Sequence, residues 1–260
     1  MNVKACICTD AGDHRKINQD AALVKVANSR SFGRIALIAV CDGMGGLPKG
    51  EVASCKAIRA LETWFHEELV LMVNMSLERF WETAETSWNR LIAKINGDIR
   101  RYGRHRGISL GTTLTALLQV GNRYMFMNIG DSRIYYTKDG DVVQLTRDQS
   151  LAQRMVDMGH ATDVDDIDED KRSVLLQCVG SHTPPTPQVG KGFFDKNTTV
   201  IACTDGLWRK ITGQELYTRL CPQMCLTDED MMHQCRKLID TVQERDEKDN
   251  ILVAAMCLEF

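Results

Sequence analysis

The sequence contains no apolar run long enough to cross a bilayer. Its longest runs, such as Ile35 to Cys41, fall far short of the roughly 20 residues that a helical span requires. The opening stretch, MNVKACICTDAGDHR, lacks the hydrophobic centre of a signal peptide. A cytoplasmic protein without a membrane span is therefore expected. There is no excess of basic residues either: 32 Lys and Arg stand against 35 Asp and Glu, for a net charge of -3. General affinity for nucleic acid, which needs a basic face, is not expected. Ten cysteines are present, but no Cys-x-x-Cys pair. Cys6 and Cys8 would share a strand face, and Cys221 and Cys225 a helix face. Neither pair has a His or Cys pair at zinc-finger spacing, so reduced thiols are expected rather than structural zinc. Cys41, Cys203 and Cys257 lie in apolar runs, where thiols act as small buried hydrophobes. With no internal repeat and no linker, residues 1–260 read as one domain.

What is present is a core-forming composition, 43% hydrophobic and 26% charged. Alternation predicts strands at 3–8 and 21–26. Residues 34–41 (RIALIAVC) are almost continuously apolar, as in a strand covered on both faces. After DGMGGLPKG, where Pro48 suits a first helical turn, the spacing of Val52, Cys55, Ile58, Leu61, Phe65 and Leu69 predicts an amphipathic helix over 49–70. A second helix starts near Ser76, its expected N-cap, with a stripe of Leu77, Phe80, Ala84, Trp88, Leu91, Ile95 and Ile99. Period-two segments follow at 112–120, 123–129, 133–137 and 142–145, the last two joined by an Asp139-Gly140 hairpin turn. A helix is expected over 150–159, strands at 174–178, 198–203 and 251–258, and helices near 212–220 and 227–244. The segment TDVDDIDEDK has six acids in ten residues and reads as a solvated loop. A mixed α/β domain with largely antiparallel sheet results.

Acids stand at the margins of the apolar strands. Asp42-Gly43 follows RIALIAVC, Asp131 follows RYMFMNIG, Asp205-Gly206 follows TTVIACT, and Asp249-Asn250 precedes ILVAAMCLE. If these strands share a sheet or stacked sheets, the carboxylates converge at one edge. Converging carboxylates repel unless cations neutralise them, and oxygen-only donors select Mg²⁺ or Mn²⁺ over zinc. Any single Asp-Gly reads better as a turn; four strand-end acids together are harder to dismiss. Arg15, in TDAGDHRKINQD beside Asn18 and Asp20, can bind phosphate through two parallel hydrogen bonds.

The ordered set TDAGDHRKINQD, VCDGMGG, SLGTTLTAL, NIGDSRIYY, LTRDQS, CTDGLW and DNILVAAM resembles the metal-dependent protein phosphatases of type 2C, in their compact bacterial form, over nearly the whole chain. The resemblance implies a four-layer αββα sandwich: two mainly antiparallel central sheets flanked by helix pairs. It implies hydrolysis of phosphoserine and phosphothreonine on proteins, in opposition to a Ser/Thr kinase, by a water activated by two core Mn²⁺ or Mg²⁺ ions and a third, weaker one. Asp42 would bridge the core metals, with the Gly43 carbonyl on one and Asp205 and Asp249 on the other. Asp131, with Asp205, would hold the third, and Asp20 would act through water. Arg15 would bind the substrate phosphate, Asn250 would orient the Asp249 region, and Gly111–Thr113 would place a strand under the site. A mobile flap is implied at about 150–172. A monomer that meets phosphorylated proteins and a cognate kinase is expected.

Two positions depart from the family pattern. Met44 stands where animal members carry a His proposed to protonate the leaving group, and Gln149 where a His is frequent. Two other readings compete. Cys203 and Arg209 match the Cys-x₅-Arg pattern of cysteine phosphatases, a match near chance with ten Cys and nineteen Arg. A catalytically silent, phosphoprotein-binding form of the same fold is the other.

Overall fold

The computed structural model describes residues 2–44 and 49–260. Two five-stranded sheets lie face to face, and every strand pair in them is antiparallel. In chain order the strands are β1 (Asn2–Asp10), β2 (Asp20–Ser29), β3 (Gly33–Asp42), β4 (Leu114–Val120), β5 (Arg123–Ile129), β6 (Arg133–Lys138), β7 (Asp141–Gln144), β8 (Gln188–Phe193), β9 (Thr198–Cys203) and β10 (Ile251–Glu259). One sheet has the order β1-β10-β9-β6-β7 and the other β2-β3-β4-β5-β8. The helices are α1 (Gly50–Glu67), α2 (Leu69–Met72), α3 (Leu77–Arg106), α4 (Leu151–Asp157), α5 (Glu169–Arg172), α6 (Asp205–Trp208), α7 (Gly213–Leu220) and α8 (Asp228–Glu244).

The layers follow from period-two alternation. In β3, Ile35, Leu37, Ala39 and Cys41 pack beneath α1 and α3, while Ala36, Ile38 and Val40 meet the opposite sheet. In β10, Val253, Ala255 and Cys257 pack beneath α7 and α8, while Leu252, Ala254 and Met256 face inward. Both strands are buried on two faces, which explains their continuous apolar sequences. The result is the expected αββα sandwich. Trp64 of α1 and Trp88 of α3 meet edge to face at 5.6 Å, and the Trp64 indole donates to Ser87 Oγ at 2.7 Å. That bond satisfies a polar atom which burial would otherwise leave unpaired.

The Ser76 cap and the Asp139-Gly140 turn operate as read. Ser76 caps α3, and capping boxes open α7 (Thr212, Glu215) and α8 (Thr227, Asp230). Asp139 and Gly140 both take positive φ, 49° and 96°, as a two-residue hairpin turn needs. Pro48 lies outside the described residues.

Some expectations need correction. Residues 174–178 form no strand, only an isolated bridge between Ser150 and Leu175. The strand lies further on, at β8, whose sequence QVGKGF lacks alternating large hydrophobes. Its glycines serve the partner strand: Gly190 and Gly192 pair with Phe126 and Tyr124, and a Cβ on either would strike the ring opposite. The acidic segment is not entirely loop, since a 3₁₀ turn at Val164–Asp166 and the single turn α5 interrupt it. The helix expected over 49–70 divides at Glu68 into α1 and α2.

Candidate metal centre

Asp20 opens β2, Asp42 closes β3, and the two are register partners. Both continue the even-numbered, inward-facing positions of their strands, so they stand at one end of the space between the sheets. The opposite sheet delivers Thr204 and Asp205 at the end of β9. Thr204 Oγ1 donates to Asp20 Oδ2 at 2.8 Å and so ties the two sheets together at this end. Asp131 comes from the link between β5 and β6, which passes from one sheet to the other. Asp249 precedes β10. The predicted convergence of strand-end acids therefore takes place, with contributions from both sheets.

The backbone around Asp42 is held on both sides. Its N–H donates to Thr113 Oγ1 at 2.8 Å, and its carbonyl accepts from Thr113 N and Thr112 Oγ1, each at 2.8 Å. Gly111–Thr113 thus sits directly beneath the site. At Gly43 a Cβ would strike the Gly50 backbone and come within 2.7 Å of the Gln19 carbonyl, so only glycine fits this close approach. Asp131 is buried and its carbonyl accepts from the Trp208 indole at 3.0 Å.

Asp249 meets Arg15, whose Nη2 lies 3.2 Å from Oδ2 while its Nε donates to the Lys248 carbonyl at 3.2 Å. Arg15 keeps a half-exposed guanidinium at the edge of the acids. Asn250 is buried, and its amide reaches backward into the loop that carries Arg15. Its Oδ1 accepts from Gln19 N at 2.8 Å, and its Nδ2 donates to the carbonyls of Ala11 at 2.9 Å and Ile17 at 3.2 Å.

Arg209 completes the array. Its Nη2 lies 2.6 Å from Asp205 Oδ2 and 3.9 Å from Asp131 Oδ2. Sequence reading met Arg209 only as the end of a Cys-x₅-Arg match. The available signal was its position four residues after Asp205, one helical turn on. Thr204 and Trp208 also went unread as site-building residues, because a threonine or tryptophan near an acid carries no distinctive pattern.

The electrostatics are those of an unneutralised carboxylate cluster. Burial, then the charges of Asp205, Asp249 and Asp131, push Asp20 well above the usual carboxylate range, against the hydrogen bond from Thr204. Burial and the charges of Asp20, Asp205 and Asp131 do the same to Asp42. Asp131 is pushed up to about 8 by burial and by Asp205 and Asp148. Asp20 Oδ1 and Asp205 Oδ1 are buried with no hydrogen-bond partner among the described residues. Buried carboxylate oxygens normally find a partner or a cation, and hard divalent ions suit all-oxygen donors. Among the described residues, no three of these aspartates bring one oxygen each within 4.8 Å of one another.

The family model for protein phosphatase 2C matches residues 13–249. The chain belongs to the protein phosphatase 2C family. It is a protein-serine/threonine phosphatase of that type, and the family is metal-dependent. Protein phosphatase PhpP of Streptococcus pneumoniae is 27% identical over 252 residues, covering 97% of this chain and 96% of that protein. The serine/threonine phosphatase Stp1 from Staphylococcus aureus shares the fold, with a TM-score of 0.83 at 23% identity over 100% of this chain and 96% of that one. The catalytic domain of the serine/threonine protein phosphatase PstP, in complex with 2 manganese ions, has a TM-score of 0.75 at 25% identity and covers 99% of each chain.

The two departures from the family pattern have structural counterparts. The Met44 thioether packs where a Cβ on Gly111 would lie 2.8 Å from its sulfur, and it carries no proton to donate. Gln149 accepts from Gly130 N at 3.1 Å and donates to the Thr186 carbonyl at 3.0 Å, so it holds the turn that leads into Asp131. Cys203 is fully buried in β9, and burial pushes its thiol up to about 12. A nucleophilic thiolate is disfavoured there. No helix among the described residues is long and apolar enough to cross a membrane.

Proposed function

We propose that this site hydrolyses phosphoserine and phosphothreonine esters on proteins with two divalent cations, Mn²⁺ or Mg²⁺, held by Asp42, the Gly43 carbonyl, Asp205 and Asp249. Asp20 contributes through water. The observation that carries the reading is the set of acids gathered from both sheets, with orphaned oxygens on Asp20 and Asp205. When bound, such cations acidify water toward neutrality and polarise phosphoryl oxygens. The rest falls to side chains. Arg15 binds the substrate phosphate and orients the ester, and its anchorage on Asp249 and the Lys248 carbonyl aims the guanidinium along the rim. Asn250 sets the loop on which Arg15 stands. Neither Met44 nor Gln149 serves as the general acid.

Asp131 with Asp205 is the implied seat of a third ion. Arg209 already places a fixed positive charge against both. We therefore assign Arg209 the role of partial substitute for that ion, in competition with it for Asp205. Phosphorylated proteins are the substrates in this reading, and a Ser/Thr kinase the opposing activity.

The test is hydrolysis of p-nitrophenyl phosphate and a phosphothreonine peptide with Mn²⁺, with Mg²⁺ and with excess chelator, in wild type and Asp205→Asn. Turnover that requires metal and falls more than ~100-fold in the variant is expected, since even outer partners of metal ligands cost 10–100-fold. Metal-independent turnover, or an Asp205→Asn variant of unchanged activity, overturns the assignment.

A further inference from the structure

Away from the aspartates, on the helix-covered face of the other sheet, three cysteines converge. Cys6 and Cys8 are two residues apart on β1, and strand alternation puts both thiols on the side packed by α8. Cys235 arrives from the buried stripe of α8, between Met231 and Leu238. The three sulfurs all lie within 4.8 Å of one another, and Cys6 Sγ is 3.4 Å from Cys235 Sγ. A tetrahedral ion with metal–sulfur bonds of about 2.3 Å holds its sulfurs roughly 3.8 Å apart. The observed spacing brackets that separation without any backbone movement. No partner of this kind was legible in the sequence, because Cys235 lies 227 residues beyond Cys8 and outside any zinc-finger spacing.

We propose that Cys6, Cys8 and Cys235 form a binding site for a thiophilic divalent cation of the Zn²⁺ class, distinct from the aspartate centre. Three further features fit such an ion. Cys8 borders a cavity of about 620 Å³ lined also by Thr9, Asp10, Arg236 and Asp240, which offers a route inward and room for a water as fourth ligand. The Met232 carbonyl, 3.7 Å from Cys8 Sγ, is a second oxygen at the same place. Three thiolates and one divalent cation sum to one negative charge, which the neighbouring Arg236 balances. The thiols are also unequal before any ion arrives. Hydrogen bonds from Cys235 and Cys6, with the charge of Arg236, hold the Cys8 thiol well below its ordinary value. Cys6 and Cys235, as donors, are held above theirs. On coordination the thiol protons leave to solvent.

The site would join β1, which runs into the loop bearing Arg15, to α8, which runs into the loop bearing Asp249. Occupancy therefore stabilises the mutual placement of two elements that frame the catalytic end.

The experiment uses the full chain, stripped of metal and reduced with a phosphine. Cd²⁺ is titrated while the ultraviolet thiolate-to-metal charge-transfer absorbance is followed, and Zn²⁺ is then added. A band that saturates at one equivalent, disappears in Cys8→Ser, persists in Asp42→Asn and is displaced by Zn²⁺ is expected. A second arm needs no variant: alkylation of the wild type, mapped by mass spectrometry with and without Zn²⁺. Zn²⁺ should slow modification of Cys6, Cys8 and Cys235 at least ~tenfold and leave the half-exposed Cys55 and Cys178 unchanged. No thiolate band, a band retained in Cys8→Ser, or equal alkylation with and without Zn²⁺ would show three packed thiols and no site.

Discussion

Arg209 extends its guanidinium back one helical turn to Asp205, Nη2 to Oδ2 at 2.6 Å. The approach is a charge contact, and Nη2 has no well-directed hydrogen bond among the described residues. It therefore compensates Asp205 only in part, and a cation that arrives at Asp205 competes with it. Replacing Arg209 with alanine removes that competitor. Mn²⁺ affinity should rise by about tenfold, equivalent to ~1.4 kcal/mol, in a calorimetric titration of the metal-free protein. A lower affinity in the variant would mean that Arg209 supports the metals rather than opposing them.

Asp42 carries a repulsive load when no cation is bound, since burial and three neighbouring acids all act against its charge. Neutralising it relieves that load. Asp42→Asn in excess chelator should be more stable than wild type by about 1 kcal/mol at neutral pH. With Mn²⁺ the order should reverse, because wild type gains binding energy that the variant cannot. Thermal unfolding with and without metal reads both.

Asn250 links the end of one strand to the loop of Arg15 through three hydrogen bonds. Asn250→Ala strands the Gln19 N–H and the carbonyls of Ala11 and Ile17. Each lost partner costs about 1 kcal/mol, so denaturant unfolding should show a loss of roughly 2–4 kcal/mol. The kinetic signature should be a raised KM for p-nitrophenyl phosphate as Arg15 loses its setting. A pure loss of kcat would place Asn250's influence on the metals instead.

Arg133 forks onto Asp148, with Nε–Oδ1 at 2.9 Å and Nη2–Oδ2 at 2.7 Å, while its guanidinium lies 3.5 Å over the Trp208 ring. Trp208 in turn donates to the Asp131 carbonyl. Lysine keeps the charge but loses the fork and the stacking. Arg133→Lys should lower stability by about 1–3 kcal/mol, because Asp148 is buried and needs its paired donors. The measurement is chemical denaturation at neutral pH; a change below ~0.5 kcal/mol would mean that lysine satisfies Asp148 equally well.

Much of this protein is local in origin. The apolar run at 34–41, the helical stripe from Leu77 to Ile99, the cap at Ser76 and the Asp139-Gly140 turn each depend on neighbours within a few residues. Such features declare themselves in sequence because periodicity and turn chemistry are short-range. Asp42, Asp131, Asp205 and Asp249 were legible for a related reason: a charged residue at the end of a buried strand needs an explanation that an exposed one does not.

Tertiary structure decided what depends on contacts between distant segments. It placed β8 against β5 through glycines that carry no strand signal, because the partner's rings supply the packing. It set Arg209 within reach of Asp131, tied Asp20 to Thr204 across the sheets, and brought Cys235 to Cys6 and Cys8. No pattern along one strand or helix encodes these meetings. They arise when hydrophobic faces dock and carry their polar passengers together.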